Sequence, residues 1–528
     1  MNEKINLTIK ETFALAVQHH QKNNLQVAEK LYKEILKTNP NHANTRNNLG
    51  SVLKELGESR KAISCFQKAI EIQSNHADAH YNLGSVLKEL GESRKAISCF
   101  QKAIQIQPNH ADAHYNLGNT FRELEESEKA IGCYEKAIQI QPNHADAHNN
   151  LGNAFRELEE SEKAIGCYEK AIQIQPNHAH AHNNLGNALK DLGEHQKAIG
   201  CYEKAIAIQS NHADTHYNLG NALKELGESR KAISCYEKAI EIQSNHADAH
   251  YNLGNTLKDL GEHKKAISYF QKTNSIVSKE ELLKYSYLLD GLEDYKKKLE
   301  KFVKEETCSR NVAATAAYVS KKENIKNIYP FCKDPLNFVS IKNLKNVLTL
   351  TDNFSKNLLK RLETVHSIWE PKTTTTKGGY QTLINLFNTT DIEILKLQKI
   401  IEKQIIIYRK VYERSEDYFI KKWPHKCKFS AWYVKLLKQG HQKPHMHARG
   451  WLSGVFYVKV PKLLNKYEGS IKFLLSGYDF PEDKNLPNLI HSPNDFDLVL
   501  FPSSLIHQTI PFNSQDRRHS IAFDLIPK

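Results

Sequence analysis

Residues 76–109 read HADAHYNLGSVLKELGESRKAISCFQKAIQIQPN, and this stretch decides the fold of the first half of the chain. Nearly identical stretches recur every 34 residues on both sides of it. Apolar residues three and four positions apart form two runs, one around Leu83 and one around Phe100, which predicts two amphipathic helices. A glycine directly after the leucine of the first run recurs in each copy and permits close packing of the two helices. These glycines are Gly50, Gly84, Gly118, Gly152, Gly186, Gly220 and Gly254.

A helical hairpin repeated at this period resembles the tetratricopeptide repeat over about residues 9–280. An eighth, degenerate copy starts near residue 9, with Ala16 at the glycine position. One hairpin cannot bury its apolar face alone, so we expect the copies to stack into a superhelical solenoid.

Two series of asparagines flank the Leu-Gly pair of each copy. In tetratricopeptide superhelices these offsets face the concave surface, where a carboxamide can both donate to and accept from a peptide backbone. The series resembles the asparagine ladder of the O-linked N-acetylglucosamine transferase superhelix, which implies a protein or an extended peptide as partner. The alternative is that asparagine is ordinary repeat consensus here. The candidates are Asn82, Asn116, Asn119, Asn150, Asn153, Asn184, Asn187, Asn218, Asn221, Asn252 and Asn255.

Histidines and cysteines also recur with the repeat, and we expect structural roles for them. The histidines occur in pairs such as His76 and His80. The first of each pair lies in a predicted turn between copies, which argues against a metal site on a helix. The six periodic cysteines lack a C-x-x-C partner and are expected to fill the core as small apolar residues. They are Cys65, Cys99, Cys133, Cys167, Cys201 and Cys235.

The residues that point to chemistry lie near the end of the chain. His445 and His447 occur in PHMHARGWLSGVFYV, His507 in LVLFPSSLIHQTIPF and Arg518 in RHSIAFDL. Alternation in an extended segment places His445 and His447 on one face. Convergence of the third imidazole and the guanidinium predicts a metal site with an anion clamp beside it. Short strands with Gly and Pro turns from residue 427 onward predict a small barrel or jelly roll.

This ordered set of motifs resembles the C-terminal domain of the 2-oxoglutarate/Fe(II) oxygenases. More narrowly, it resembles marine cyanobacterial (Prochlorococcus-type) proteins that fuse this domain to tetratricopeptide repeats. The resemblance implies Fe(II) held by His445, His447 and His507, and no catalytic residue beyond these ligands. It also implies 2-oxoglutarate as cosubstrate. The residues implied to bind it are Arg518 and Ser520 of the R-x-S element, with Tyr433 and Tyr457 on adjacent strands.

The sequence departs from the family at one metal position. The usual element is H-x-D or H-x-E, and His447 stands where the carboxylate is expected. All three histidines ligate, or water or another side chain replaces one of the pair, or the site is degenerate; these interpretations stay open. A degenerate site would leave a tetratricopeptide adaptor with a non-catalytic jelly roll. A cupin-like metalloenzyme shares H-x-H, but its usual glutamate is missing from residues 448–451.

We therefore predict an α + β multidomain protein in three parts. Residues 1–280 form the solenoid, 281–327 a helical cap or linker, and 328–528 the oxygenase-like domain, a double-stranded β-helix with its core at 427–528. Before that core we expect a strand at 336–341 and helices at 354–369 and 392–419. GGYQT at 378–382 suggests a mobile lid, because paired glycines adopt conformations that other residues resist. Trp432, Trp451 and Phe456 are expected in the core rather than as a substrate platform, and His441 and His491 at the surface.

Charge and hydropathy narrow the range of partners. The formal net charge is +13, and residues 281–528 hold 40 Lys and Arg against 26 Asp and Glu. The lysines are dispersed and no nucleic-acid motif accompanies them, which argues against nucleic acid as partner. We identify no signal peptide and no apolar run long enough to span a bilayer, so we expect a soluble, cytoplasmic protein without a membrane partner.

Overall fold

The computed structural model describes residues 8–345, 352–371, 374–462, 465–476, 480 and 482–528. The chain divides into two compact units, Met1–Thr273 and Asn274–Lys528. The first unit is a helical repeat and the second combines helices with antiparallel β-sheet, so the structure confirms the α + β multidomain class.

Sixteen helices are described in the first unit, and consecutive helices pair as hairpins. Each hairpin also contacts the next one along the chain, which continues the apolar core through the stack. The helices are α1 Ile9–Gln21, α2 Leu25–Thr38, α3 Ala43–Glu55, α4 Ser59–Ile72, α5 Ala77–Glu89, α6 Ser93–Ile106, α7 Ala111–Glu123, α8 Ser127–Ile140, α9 Ala145–Glu157, α10 Ser161–Ile174, α11 Ala179–Asp191, α12 His195–Ile208, α13 Ala213–Glu225, α14 Ser229–Ile242, α15 Ala247–Asp259 and α16 His263–Phe270.

The repeated glycine brings the two helices of a hairpin together. A Cβ atom on Gly84 would lie 2.8 Å from Cε1 of Phe100, which is fully buried. The equivalent glycine meets a buried Phe or Tyr ring in every other full copy. The glycine is therefore required by the aromatic ring that fills the hairpin core.

The repeated histidines cap helices and join neighbouring copies. Nδ1 of His178 accepts from the backbone N–H of Ala181, which leaves the ring proton on Nε2. That Nε2–H donates to Asp146 of the preceding copy at 3.1 Å. The second histidine of a pair, such as His80, donates to a backbone carbonyl, that of Ser74. These contacts explain the histidine series without a metal.

In the second unit, a run of helices precedes the sheets. These are α17 Ile276–Tyr285, a π-helical turn Ser286–Asp290, α18 Leu292–Glu305 and α19 Arg310–Lys322. Gly291 separates the π turn from α18 with a φ of +91°, a conformation that favours glycine. Leu283, Tyr295 and Val312 from these helices share one buried cluster with residues of the sheets. Helices that the sequence suggested as a solenoid cap thus contribute to the core of the second unit.

Ten strands are described in two antiparallel sheets. The larger sheet has the order β1-β8-β5-β10-β4-β3-β2 and the smaller one the order β7-β6-β9. The strands are β1 Ser340–Asn343, β2 Ile368–Trp369, β3 Thr376–Gln381, β4 Cys427–Gln442, β5 Leu452–Lys459, β6 Ile471–Leu474, β7 Asn488–His491, β8 Asp497–Pro502, β9 Ile506–Thr509 and β10 Arg518–Pro527. The other helices are a 3-10 turn Pro335–Phe338, α20 Asp352–Thr364, α21 Ile392–Val411 and α22 Tyr418–Lys421.

Several local expectations need correction. The strand predicted at 336–341 begins as a 3-10 turn, and the helix predicted at 354–369 ends at Thr364 and is followed by β2. The helix predicted at 392–419 ends at Val411. The residues predicted as a mobile lid lie largely in β3, which pairs with β4. A Cβ on Gly379 would lie 2.5 Å from the Lys435 carbonyl oxygen of β4. The paired glycines permit close strand contact there. Among the described residues, no helix is both long and apolar enough to cross a bilayer.

Candidate metal centre

The loop between β4 and β5 carries His445 and His447, and its backbone is tied to the smaller sheet. His445 and His507 exchange both backbone hydrogen bonds, at 3.0 and 2.9 Å. The N–H of His447 donates to the Ser503 carbonyl at 3.0 Å. Met446, between the two histidines, is buried with Ile506 in a small apolar cluster. Local extension with Met446 facing the core leaves both imidazoles on the other side, as alternation predicts.

The three predicted histidines come together. One ring nitrogen from each of His445, His447 and His507 lies within 4.8 Å of the other two. The ring centroid of His507 is 4.3 Å from that of His445 and 5.1 Å from that of His447. In the part of the chain that the structure describes, this is the one group of three such ligand atoms.

Hydrogen bonds fix which nitrogen of each ring is free. Nδ1 of His445 lies 2.7 Å from the Lys443 carbonyl, Nδ1 of His507 lies 3.2 Å from the Leu505 carbonyl, and Nδ1 of His447 lies 2.9 Å from a carboxylate oxygen of Asp524. These oxygens only accept, so each Nδ1 carries the proton. The lone pair of each ring is then on Nε2, which leaves three nitrogen donors for a cation.

Burial keeps two of these rings neutral. It lowers the pKa of His445 to about 4, with a further contribution from neighbouring His447. Burial also lowers the pKa of His507 well below its usual range, assisted by His445 and His447. At neutral pH both rings therefore present lone pairs rather than N–H groups, which fits a metal site.

Asp524 is a site residue that our sequence analysis missed. It lies on β10, and its Oδ2 accepts from Nδ1 of His447. Arg518, Ser520 and Asp524 are separated by even numbers of residues on one strand, so their side chains lie on the same face of the sheet. Alternate residues of a strand lie on one face, so the sequence from Arg518 to Asp524 already contained a signal for Asp524.

Arg518 is buried without a carboxylate. Its side chain is 2% exposed, and it donates from Nη1 to the Gly469 carbonyl at 2.9 Å and from Nη2 to the Tyr457 hydroxyl at 3.2 Å. Its Nε is buried with no hydrogen-bond partner, and the described residues provide no ion pair for it. A buried charge is costly unless it is paired, so this guanidinium is suited to an anionic ligand.

The smaller sheet connects the guanidinium to the histidines. Gly469, which accepts from Arg518, donates its N–H to the carbonyl of Ile510. Ile510 is three residues beyond His507, which corresponds to about 10 Å along an extended chain.

The remaining clamp residues divide between the two faces of the larger sheet. Ser520 is 3% exposed on the same face as Arg518, and Tyr457 lies beside Arg518 with its ring 4.7 Å from the guanidinium carbon. Tyr433 pairs with Ile521, and its hydroxyl contacts Nδ1 of His519 at 2.5 Å on the opposite face. The expectation that Tyr433 reaches the cosubstrate is therefore corrected, because the strand register points it away from Arg518.

Other residues singled out in the sequence have structural roles. Trp451 and Phe456 are buried in the core, while Trp432 is partly buried and its ring stacks 5.5 Å from that of His447. His491 bonds to Asp497 at 3.0 Å. His441 bonds to the Gln439 carbonyl.

In the helical unit, the asparagines before each Leu-Gly pair bond to the preceding copy. Their Nδ2 groups donate to an Asn Oδ1 or a Tyr hydroxyl 35 positions earlier, as Asn82 does to Asn47 at 3.0 Å and Asn116 to Tyr81 at 2.9 Å. The same pattern holds for Asn150, Asn184, Asn218 and Asn252. One donor of each amide thus serves the solenoid itself.

The asparagines after each glycine accept from a tyrosine of their own hairpin. Oδ1 of Asn119, for example, accepts from the Tyr134 hydroxyl at 2.8 Å. Asn153, Asn187 and Asn221 repeat this contact with Tyr168, Tyr202 and Tyr236. Asn255 differs, because Phe270 stands at the tyrosine position. Peptide binding by either series stays a prediction.

Family comparisons agree with both halves of this description. Residues 430–524 match a family described as "Putative 2OG-Fe(II) oxygenase". Tetratricopeptide repeat models match 31–64, 50–91 and, in five overlapping segments, 75–279. The chain joins tetratricopeptide repeats to a C-terminal 2OG-Fe(II) oxygenase domain. His445, His447, His507, Arg518 and Asp524 all lie within the oxygenase match.

Solved structures that are similar to this chain match part of its length. MamA is 30% identical over 31% of this chain and 96% of its own, with a TM-score of 0.29. YrrB, titled a TPR protein with an unusual peptide-binding site, is 27% identical over 35% of this chain and 95% of its own, with a TM-score of 0.31. A search of curated proteins gave no match. The narrower resemblance to marine cyanobacterial proteins stays a prediction.

Proposed function

We propose that the chain is a 2-oxoglutarate- and Fe(II)-dependent oxygenase that hydroxylates a protein or peptide held by the tetratricopeptide repeats. One observation carries the proposal: three imidazoles, each with Nδ1 bonded to an oxygen acceptor, converge in the same domain that buries a guanidinium with no anionic partner among the described residues. A metal-binding structural site would account for the imidazoles but leave Arg518 unexplained. A cation and a dicarboxylate together account for both.

Each residue has a defined part in this proposal. His445, His447 and His507 would hold Fe(II) through Nε2, since their Nδ1 atoms are committed to oxygen acceptors. Arg518 would pair with the far carboxylate of 2-oxoglutarate, with its Nε as an unused donor. When bound, iron and 2-oxoglutarate supply the oxidation: dioxygen is consumed, 2-oxoglutarate leaves as succinate and CO₂, and one oxygen atom enters a C–H bond of the substrate.

The repeats support the substrate part of the proposal. Tetratricopeptide solenoids are scaffolds for protein or peptide partners, and their extended surface suits an extended chain. The bonded asparagines form fixed rows, and amides such as that of Asn116 retain hydrogen-bonding capacity beyond their contact to the neighbouring copy. The substrate itself is defined only to this class.

The test begins with binding and then measures turnover. Anaerobic titration of the full chain with Fe(II), followed by 2-oxoglutarate, should show one site for each, and exposure to O₂ should release succinate. His507→Ala should lose the metal, whereas Arg518→Met should keep the metal and lose 2-oxoglutarate. His425→Ala, at an exposed histidine, serves as the matched control. Absence of metal binding in the wild type, or unchanged binding in both variants, would sink the proposal.

A non-catalytic adaptor is the alternative, and one observation favours it. His447 replaces the carboxylate that the family uses as a ligand, so the three-imidazole face lacks a directly bound negative charge. Thermal unfolding with Mn(II) and 2-oxoglutarate separates the two functions, because a ligand bound only by the folded state raises the midpoint. Unchanged midpoints at millimolar ligand favour the adaptor.

A further inference from the structure

A buried chain of polar side chains lies behind one histidine of the metal centre. Asp524 is 8% exposed; its Oδ2 accepts from Nδ1 of His447 at 2.9 Å and its Oδ1 from the Ser453 hydroxyl at 2.7 Å. The Ser453 hydroxyl also lies 2.8 Å from that of Ser503. Among the described residues, Asp524 forms no ion pair with Lys or Arg.

Packing holds this chain of contacts in place. A Cβ atom on Gly450 would lie 2.4 Å from the Ser503 hydroxyl and 3.4 Å from the Asp524 carboxyl carbon, so the loop can follow this path only with glycine there. The Trp432 ring covers one face of His447 in a stacked arrangement with an interplanar angle of 18°. The stacked Trp432 ring therefore fixes the plane of the His447 ring, and the hydrogen bond to Asp524 fixes the direction in which Nδ1 points.

The three histidines differ in what supports them. His445 and His507 donate to neutral backbone carbonyls, whereas His447 donates to a carboxylate. The resemblance described above also implies an acidic ligand at the position that His447 occupies. A carboxylate that accepts a hydrogen bond from the far nitrogen of a ligating imidazole makes the ring a stronger electron-pair donor to the metal. Its negative charge also offsets part of the charge of the cation.

We propose that Asp524 supplies, through His447, the negative charge that the three-imidazole face lacks, so that the His447–Asp524 pair replaces the family's acidic ligand. Asp524 is a positioning residue in this scheme, because it acts on the metal only through His447. The inference rests on the metal-binding part of the proposed function. It is independent of 2-oxoglutarate and of the substrate.

The first experiment removes the charge and keeps the shape. In Asp524→Asn, Oδ1 of the amide can still accept from His447 and its NH₂ can donate to Ser453, so both bonds survive. We expect Co(II) and Fe(II) affinity of the full chain, measured by anaerobic titration, to fall by about 10–100-fold. Ser453→Ala removes one neutral bond from the same carboxylate and should change affinity by no more than a few-fold. Equal affinities for wild type and Asp524→Asn would overturn the proposal.

The second experiment moves the carboxylate to the ligand position. His447→Asp removes the imidazole through which Asp524 acts and places a negative charge directly beside the cation. In that background Asp524→Asn should lower metal affinity by no more than a few-fold, because the imidazole that transmitted its charge is gone. A loss as large as that in the wild-type background would show that Asp524 acts by a route other than His447, and would overturn the proposal.

The visible absorption of bound Co(II) gives a readout besides affinity. Its ligand-field bands should shift on Asp524→Asn and remain in place on Ser453→Ala. Wild-type metal binding without 2-oxoglutarate binding would overturn the oxygenase proposal and leave the role of Asp524 intact. Binding of both ligands, with identical Co(II) spectra for wild type and Asp524→Asn, would overturn the role of Asp524 and leave the oxygenase proposal intact. Failure of the wild type to bind any metal would overturn both.

Discussion

The Nε–H of Arg310 donates to the carbonyl of Gly450 at 2.7 Å, which ties α19 to the loop that bears His445 and His447. The guanidinium carbon lies 5.1 Å from the ring centre of Phe331 and 5.2 Å from that of Trp451. Ala314, one turn further along α19, joins Met446 in a buried cluster. This helix therefore supports the metal centre from below the loop.

Loss of the Arg310 contact should loosen the histidine loop. Arg310→Met removes charge-assisted hydrogen bonds to the carbonyls of Gly450 and Cys308 and two ring contacts, so we expect the free energy of unfolding of the second unit to fall by about 2–3 kcal/mol. Metal affinity should fall as well, because the two loop histidines lose their fixed spacing. Urea denaturation and Co(II) titration measure the two effects. Arg409→Met, at an exposed arginine 5.9 Å from the Trp423 ring, is the control and should cost less than about 0.5 kcal/mol.

Removal of the unpaired guanidinium should separate stability from cosubstrate binding. Arg518→Met loses two hydrogen bonds but also removes a buried charge that has no carboxylate partner among the residues that the structure describes. We expect the ligand-free protein to keep its stability or gain about 1 kcal/mol. We expect 2-oxoglutarate to raise the thermal unfolding midpoint of the Mn(II)-loaded wild type, and this rise should be absent in Arg518→Met. A variant that unfolds earlier yet still responds to 2-oxoglutarate would contradict the assigned role.

Two glycines of the solenoid should respond to alanine with opposite signs. Gly84→Ala forces a methyl group to within 2.8 Å of the Phe100 ring, and we expect a loss of about 1–3 kcal/mol. Gly132→Ala, within α8, meets no atom within 4 Å and should stabilise by about 0.5–1 kcal/mol through helix propensity. Chemical denaturation of the full chain measures both. Equal effects at the two positions would contradict the packing assigned to Gly84.

Acid should destabilise the second unit through His519. Burial lowers the pKa of His519 to about 4, with nearby lysines and Arg517 adding to the effect, whereas an unfolded histidine titrates near 6.5. Between these values the unfolded chain binds a proton that the folded chain does not. The contribution of neutral His519 to the free energy of unfolding is therefore complete above about pH 6.5, falls with decreasing pH, and is lost below about pH 4.

Substitution of His519 tests this linkage. His519→Gln does not titrate, so its stability should fall less than that of the wild type between pH 6.5 and pH 4, by up to about 3 kcal/mol. His445 and His507 act in the same direction, so the comparison uses the difference between variants at each pH. His425→Gln, at an exposed position, should follow the wild type. Parallel curves for His519→Gln and wild type would contradict the prediction.

The sequence was sufficient for the repeats because their signal is local and copied. The spacing of apolar residues predicts the helices. The glycine of each copy predicts the close contact between the two helices of a hairpin, such as the contact of Gly84 with Phe100. Convergence of His445 with His507 was also predictable, since alternation and motif order are properties of the chain itself. Both kinds of evidence remain valid without knowledge of how the strands pair.

Strand pairing accounts for what could not be predicted. Alternation showed that Tyr433 and Trp432 lie on opposite faces of β4, but which face is inward depends on the register with β10, where Trp432 pairs with Ala522. The contact between Asp524 and His447 likewise depends on the path of a loop from a different strand. Helix α19 was assigned to a linker, because nothing in its sequence reveals that Arg310 reaches Gly450, 140 residues later.

The constant 35-residue offset of the inter-copy bonds has a consequence for how this chain can change length. Asn116 bonds to Tyr81, and Asn150 bonds to Tyr115, so excision of residues 110–143 would rejoin an asparagine to an equivalent tyrosine. Recombination between such similar coding segments would therefore shorten or extend the protein by whole hairpins while preserving every kind of junction. The number of hairpins is thus a heritable quantity that changes in whole units, without any change to the sequence of the second unit.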